Sequence, residues 1–201
     1  MIISRIMAFA PSEETAMLIG ENSSIDSGFI EQATGLANEA YGDGFFSHDA
    51  MSRLLSSGIV FTACEGEALS GFSCVQTVSF LEAAEDMGLP ESFYEDDDDR
   101  YRVVGYIKAL VASPSEHGKI ATLLLEWIDK RYSEKGLDEL WVCDWKRGGL
   151  SHKSALKGLG FEKVCESSLS GVLYRKIDKE AMKRESVEEA ALSLGFAQAF
   201  A

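Results

Sequence analysis

The sequence predicts an α/β chain built around one core, and three observations carry that prediction. Runs rich in β-branched and aromatic residues alternate with stretches whose apolar residues recur at helical spacing. A chain of 201 residues, 46% of them apolar, is long enough to bury one sizeable core. Between residues 101 and 145 a strand, a small-residue turn, a long helix and a second strand follow one another. That order implies a parallel strand pair joined by a right-handed crossover.

The elements read in order as follows. "TAMLIGE" is a first strand. "SGFIEQATGLANEAYGDG" sets Phe29, Ala33, Leu36 and Ala40 on one helical face with Ile30, Ala37 and Tyr41 beside them, and Gly42 and Gly44 stop it. "SHDAMSRLLSSG" is a short second helix, with Ser47 as N-cap and Gly58 at its end. "IVFTACEGEALSGFSCVQTVSF" is a hairpin of two β-rich runs. "YRVVGYIKALVAS" is a strand. "KIATLLLEWIDKRYSEKG" is a helix with Ile120, Leu124, Trp127 and Ile128 at helical spacing, closed by Gly136. "DELWVCDW" is a strand, "SHKSALKGLG" a short helix, and "FEKVCESSLSGVLYRKI" two final strands. "KEAMKRESVEEAALSLGF" is a terminal helix that could pack on the core or on a second copy, making a homodimer. The domain organisation expected is an extension over 1–15, a single domain over 16–178 with an acidic insertion at 82–100, and a helical tail over 179–201.

Charge and composition exclude several classes. The net charge of −14 would repel a phosphate backbone, so no nucleic-acid partner is expected and a basic substrate or partner is easier to reconcile. No run is long and apolar enough to cross a membrane, and the N-terminal segment lacks the pattern of a signal peptide, so neither membrane nor export is expected. Cys64, Cys74, Cys143 and Cys165 show no C-x-x-C spacing, which fits reduced, mostly buried thiols in a cytoplasm. Nine carboxylates and no Lys or Arg lie between Glu82 and Asp99. This reads as a solvated loop, or as a lip that attracts a cationic substrate. "YEDDDDRYR" lacks the alternating ligands and central glycine of a calcium loop, so no metal is expected.

"SPSEHGKIATLLLEW" is the stretch that points to chemistry. It lies at the carboxyl end of a strand and the amino end of a helix, where free backbone N–H groups and the helix dipole favour an anion. Gly118 would let the backbone close on a phosphate, and Lys119 adds a positive charge. The stretch lacks the glycine and the hydroxyl residue of a P-loop, and two of the three glycines of a dinucleotide fingerprint.

Taken together, "YIKALVASPSEHGKIATLLLEWI", "LWVCDW" and "SALKGLGFEKV" resemble the GNAT superfamily of N-acetyltransferases, over about Ala16 to Lys176. That family has a strand, a proline-containing bend, [QR]-x-x-G-x-[GA], a long helix, and later a short helix ending in "GF". Anchoring on Pro114 puts His117 at the usual Arg/Gln with one glycine missing; anchoring on Ile120 and Ala121 puts Glu116 there. The first register lets "YIKALVASP" read smoothly against the family strand. The resemblance implies a mixed, mostly antiparallel sheet with a central parallel pair splayed at the cofactor site and helices on both faces. It implies that the amides of His117, Gly118, Lys119, Ile120 and Ala121 cradle the pyrophosphate of acetyl-CoA, with a hydroxyl contact from Thr122. The backbone of Leu110 and Val111 would pair with the pantetheine arm, with an oxyanion donor near Val111.

One departure matters. Many members carry a tyrosine five residues before the phenylalanine of "GF" that protonates the departing thiolate, and here that residue is Leu156. The chemistry implied is direct attack of a neutral primary amine on the thioester. Asp144, His152 and Tyr106 are the candidates for proton transfer, and "YGDGFF" would form the acceptor wall by resemblance. Cys143 reads as a buried, inert thiol. Trp127 reads as core, and at least one of Trp141 and Trp145 as packing. The function expected is N-acetylation of a small cationic amine or a protein amino terminus. The alternatives are a catalytically weak acyl-CoA sensor of the same fold, and an interaction protein whose acidic insertion captures a basic partner.

Overall fold

A computed structural model describes residues 7–8, 17–94, 100–137, 139–145, 150–167 and 171–178. In chain order the elements are β1 (Met7–Ala8), β2 (Met17–Asn22), α1 (Ser27–Tyr41), α2 (His48–Leu55), β3 (Ile59–Glu65), β4 (Ala68–Ser79) and α3 (Phe80–Met87). A 3-10 turn (Glu91–Phe93) follows, then β5 (Val103–Ala112), α4 (His117–Ser133), β6 (Glu139–Trp145), α5 (Lys153–Gly158), β7 (Glu162–Glu166) and β8 (Gly171–Ile177). The terminal helix expected over 179–201 and the "EDDDD" run lie outside the described residues.

The strands form one sheet in the order β1-β2-β3-β4-β5-β6-β8-β7. Its pairings are antiparallel except for β5 with β6, the mostly antiparallel sheet with one parallel pair that was expected. The two residues of β1 pair with β2 through Met7 opposite Ile19.

Helices cover both faces. On one, Ile120, Ala121, Leu124, Leu125, Ile128 and Tyr132 of α4 pack on Phe61, Val75, Ile107 and Val142. Fully burying each of the larger aliphatic side chains stabilises the fold by about 1.5–3 kcal/mol, which anchors α4 firmly. Gly71 permits a close approach, because a Cβ there would meet the Ile120 side chain and, at 3.0 Å, the carbonyl oxygen of Val111. On the other face α1 and α2 cover Val60, Phe72, Cys74, Ala109 and Val111. Beside them α3 covers Val104, Tyr106, Trp141 and Cys143.

A bulge in β5 decides how these faces meet the site. Cys74 of β4 pairs with Ala109 and Val75 with Ile107, so Lys108 is the extra residue. The inserted residue resets the alternation. Val104 and Tyr106 before it and Ala109 and Val111 after it therefore face the same layer of helices.

Two expectations need correcting. The sequence presents the segment from Glu82 as a solvated loop or an acidic lip, yet Phe80–Met87 is a helix, N-capped by Ser79, whose Oγ accepts from Glu82 N at 3.2 Å. Its buried residues Phe80, Ala83, Ala84 and Met87 fall at helical spacing, and its carboxylates lie on the remaining positions. Trp127 was read as core but is half-buried, because the buried stripe of α4 runs through Ala121, Leu124, Leu125 and Ile128 and leaves Trp127 at its margin. Trp141 is the buried tryptophan, tilted against Phe80 with centroids 5.1 Å apart. No described helix is long and apolar enough to cross a membrane.

Candidate active site

The parallel pair sets the geometry. β5 and β6 are in register from Gly105 opposite Leu140 to Ile107 opposite Val142, and pairing ends there. β5 nevertheless continues to Ala112 and β6 to Trp145, so the two strands part. Leu110 and Val111 lie on the parted stretch of β5. The backbone of that stretch has no pairing with β6, as an added strand would need.

At the end of this opening stands α4. Its N-cap residue, Glu116, makes no side-chain capping bond. The first intrahelical bond is donated by Ile120 N to the Glu116 carbonyl at 3.0 Å, so the N–H groups of His117, Gly118 and Lys119 precede the helical ladder. A Cβ built at Gly118 meets nothing within 4 Å. Gly118 is therefore not needed for packing, and the space over it is open. Lys119 pairs with Glu116 at 3.3 Å on the surface, and the Thr122 hydroxyl donates to the Gly118 carbonyl at 2.8 Å.

Three side chains meet beside that turn. Asp144, at the end of β6, accepts from Ser151 Oγ at 2.8 Å and from the backbone N–H of His152 at 3.0 Å. Its Oδ1 also lies 3.0 Å from His152 Nδ1. Asp144 and His152 are both 4% exposed. Burial pushes the Asp144 carboxyl up. The hydrogen bonds and charge of His152, and the bond from Ser151, outweigh that and hold it below the usual carboxylate range. An ionised Asp144 requires Nδ1–H on His152, so in the neutral ring Nε2 carries the lone pair. That Nε2 is buried and has no hydrogen-bond partner among the described residues, and the same holds for Nε2 of His117. The two imidazoles are stacked with centroids 4.4 Å apart. Burial, and then the proximity of His152, lower the His117 pKa.

On the other side of the parted strands lies a cavity of about 470 Å³, within the range of small-molecule sites. Tyr41, Phe45, Phe46, Leu54 and Trp145 form much of its wall, with Asp86, Tyr106 and Lys108 as its polar part. Tyr106 donates to Asp86 Oδ2 at 2.8 Å, and Lys108 Nζ is 3.2 Å from the same oxygen. The Tyr41 hydroxyl donates to the Leu110 carbonyl at 2.8 Å.

The structure thus brings Asp144 and His152 into contact, with His117 against them, and places Tyr106 apart from them in the cavity wall beside Leu110 and Val111. Leu156 is fully buried in the core with Ala155 and Phe161. Cys143 is buried, and burial pushes its thiol up to about 12. "YGDGFF" supplies Tyr41, Phe45 and Phe46 to the cavity. Sequence reasoning missed Asp86, hidden among neighbouring carboxylates, and Lys108, which only the bulge directs to the cavity.

Neither a protein-family model nor a curated protein matches the sequence. Solved structures match in fold. An N-acetyltransferase from Staphylococcus aureus Mu50 is 14% identical, with 80% of this chain and 97% of that one covered at a TM-score of 0.55. The PaiA N-acetyltransferase from Thermoplasma acidophilum, solved with coenzyme A, is 14% identical over 79% of this chain and 98% of that one, at 0.55. The GphF GNAT-like decarboxylase, solved with isobutyryl-CoA, is 13% identical over 80% and 99%, at 0.60. The protein therefore has the GNAT fold, the one that the resemblance of its central motifs implied.

Proposed function

We propose that the protein transfers an acetyl group from acetyl-CoA to a primary amine, borne by a small cationic molecule or a protein amino terminus, within a ternary complex. The observation that carries this reading is the parted β5–β6 pair leading to the uncapped start of α4, with the unpartnered Nε2 of buried His152 beside it. A buried polar atom without a partner is costly, and a ligand in the opening would supply one.

In this reading the pyrophosphate rests on the N–H groups from His117 to Ala121 with Lys119 and Thr122 alongside, and the open space over Gly118 admits it. The pantetheine arm lies along Leu110 and Val111. A backbone N–H near Val111 faces the thioester oxygen as charge develops on it. His152 Nε2 takes the first proton from the incoming ammonium, and Asp144 fixes the ring and stabilises the imidazolium. Tyr106 holds Asp86 in place, and Asp86 offers a carboxylate to the acceptor ammonium from across the cavity. Free, mostly buried cysteines support a cytoplasmic setting for this reading, and the segment from Lys179 is the candidate for a homodimer contact.

The test is thiol release from acetyl-CoA against a panel of polyamines, amino-modified sugars, amino acids and peptides. Acceptor-dependent release with a matching acetylated product supports the reading. Acetyl-CoA binding without release from any amine favours the second reading, a weak acyl-CoA sensor, for which the core position of Leu156 speaks. A solved neighbour on this fold is a decarboxylase, so the acetylated product has to be identified and not only the free thiol.

A further inference from the structure

The transferase reading leaves one proton without a donor. When the C–S bond breaks, the departing thiolate must be protonated, and position 156 holds a core leucine. The cavity contains a phenol from a different element.

Tyr41 is the last residue of α1. Its ring lines the cavity and touches Phe45, with centroids 5.0 Å apart at 41°. Its hydroxyl is 2.8 Å from the Leu110 carbonyl oxygen, on the stretch of β5 beyond its last pairing with β6. Tyr41 shares the cavity wall with Leu110 and Val111 of β5 and Trp145 of β6. Its hydroxyl therefore stands at the stretch where the two strands no longer pair. Asp86 from α3, with Tyr106 and Lys108 from β5, completes the titratable surroundings of the cavity.

We propose that Tyr41 is the general acid of the reaction, replacing from α1 the phenol absent at position 156. The inference rests on the transferase reading, because Leu110 is the residue that reading sets against the pantetheine arm. The proton balance is closed. The neutral amine attacks the thioester carbon, a C–N bond forms and the C–S bond breaks with its electron pair going to sulfur. The Tyr41 O–H gives its proton to that sulfur while the phenolic oxygen takes the surplus proton from the acylated nitrogen. The hydroxyl turns from the Leu110 carbonyl to the sulfur, a rotation about one C–O bond. Burial, reinforced by Asp144 and Cys143, pushes the phenol well above its ordinary value. A free phenolate is therefore disfavoured, and the two transfers run in concert.

Tyr41→Phe tests this. With acetyl-CoA, kcat should fall by about 100-fold or more while the thermal shift produced by acetyl-CoA stays as in the wild type. The selenium analogue of acetyl-CoA leaves as a selenolate that needs no proton, so on that donor the defect should shrink to within about threefold. A defect of equal size on both donors, or an undiminished kcat on acetyl-CoA, overturns the proposal. If the phenylalanine variant does not fold, trifluorotyrosine at position 41 keeps the bond to Leu110 while making the phenol far more acidic. The alkaline loss of kcat should then move to lower pH, and an unmoved profile overturns the proposal. A wild type that binds acetyl-CoA yet releases no thiol with any amine removes the parent reading and this one together. A wild type that turns over with an unaffected Tyr41→Phe removes this one alone.

Discussion

Replacing Asp144 with alanine removes the anchor of the histidine pair, and the cost can be worked from its contacts. The carboxylate is 4% exposed and accepts from Ser151 Oγ, His152 N and His152 Nδ1 at 2.8, 3.0 and 3.0 Å. Hydrogen bonds to a charged group are worth about 1.5–3 kcal/mol each, but they are not additive and the carboxylate's own desolvation opposes them. Breaking a buried pair from one side leaves the partner stranded, and about 3–5 kcal/mol is the expected loss. For a chain of this length that is a fall in Tm of about 6–20 °C. The loss also carries a pH signature. The native carboxyl titrates below its unfolded value, so its contribution is whole above about pH 4 and disappears as pH falls through the native value. Urea unfolding of wild type and variant at about pH 7 and about pH 3 reads both effects. The gap should be wide at neutral pH and narrow in acid. A gap under about 1 kcal/mol at neutral pH, or one that does not change with pH, would refute the assignment of Asp144 as an ionised anchor.

Three further outcomes are expected. Gly118→Val should leave Tm within a few degrees, since the added Cβ meets open space, yet weaken acetyl-CoA binding by about tenfold or more, as isothermal titration would show. His117 titrates below its ordinary value when buried beside His152, so it is neutral near pH 7; a bound pyrophosphate favours its protonated form. Acetyl-CoA should thus bind more tightly on going from about pH 8 to pH 6, by up to about tenfold per pH unit, and His117→Gln should flatten that slope. Asp86→Asn should raise the acceptor KM with little change in acetyl-CoA affinity; steady-state kinetics at two ionic strengths checks both.

Local signals carried most of the fold. The β3–β4 hairpin, the β5–α4–β6 unit, the cap at Ser47 and the left-handed Gly136 just after α4 were readable because β-branched runs, helical spacing and turn residues act over a few positions. The helix α3 went unread although Phe80, Ala83, Ala84 and Met87 spell its stripe, because the carboxylates between them dominated the segment's character. The sheet order and the end of β5–β6 pairing at Ile107 are long-range facts with no local trace. Asp144 and His152 could be named separately as polar residues near a strand end and a helix start, but their 3.0 Å contact is a tertiary fact with no local trace. Tyr41 was legible as a residue beside a helix's apolar face and, by resemblance, as part of the acceptor wall, but not as a partner of Leu110. Its hydroxyl gains meaning from Leu110, 69 residues away.

A thermal unfolding scan with acetyl-CoA, with AMP as the control, goes directly to whether the opening beside α4 takes a coenzyme. Ligand at ~100 times Kd adds about 2.7 kcal/mol to stability. That moves the midpoint of a chain of this size by roughly 5–10 °C. A shift of that size with acetyl-CoA and none with AMP is the predicted result, and its loss in Gly118→Val would tie it to the α4 turn. An unchanged midpoint at millimolar acetyl-CoA would contradict the proposal and leave "SPSEHGKIA" as a turn that only joins β5 to α4.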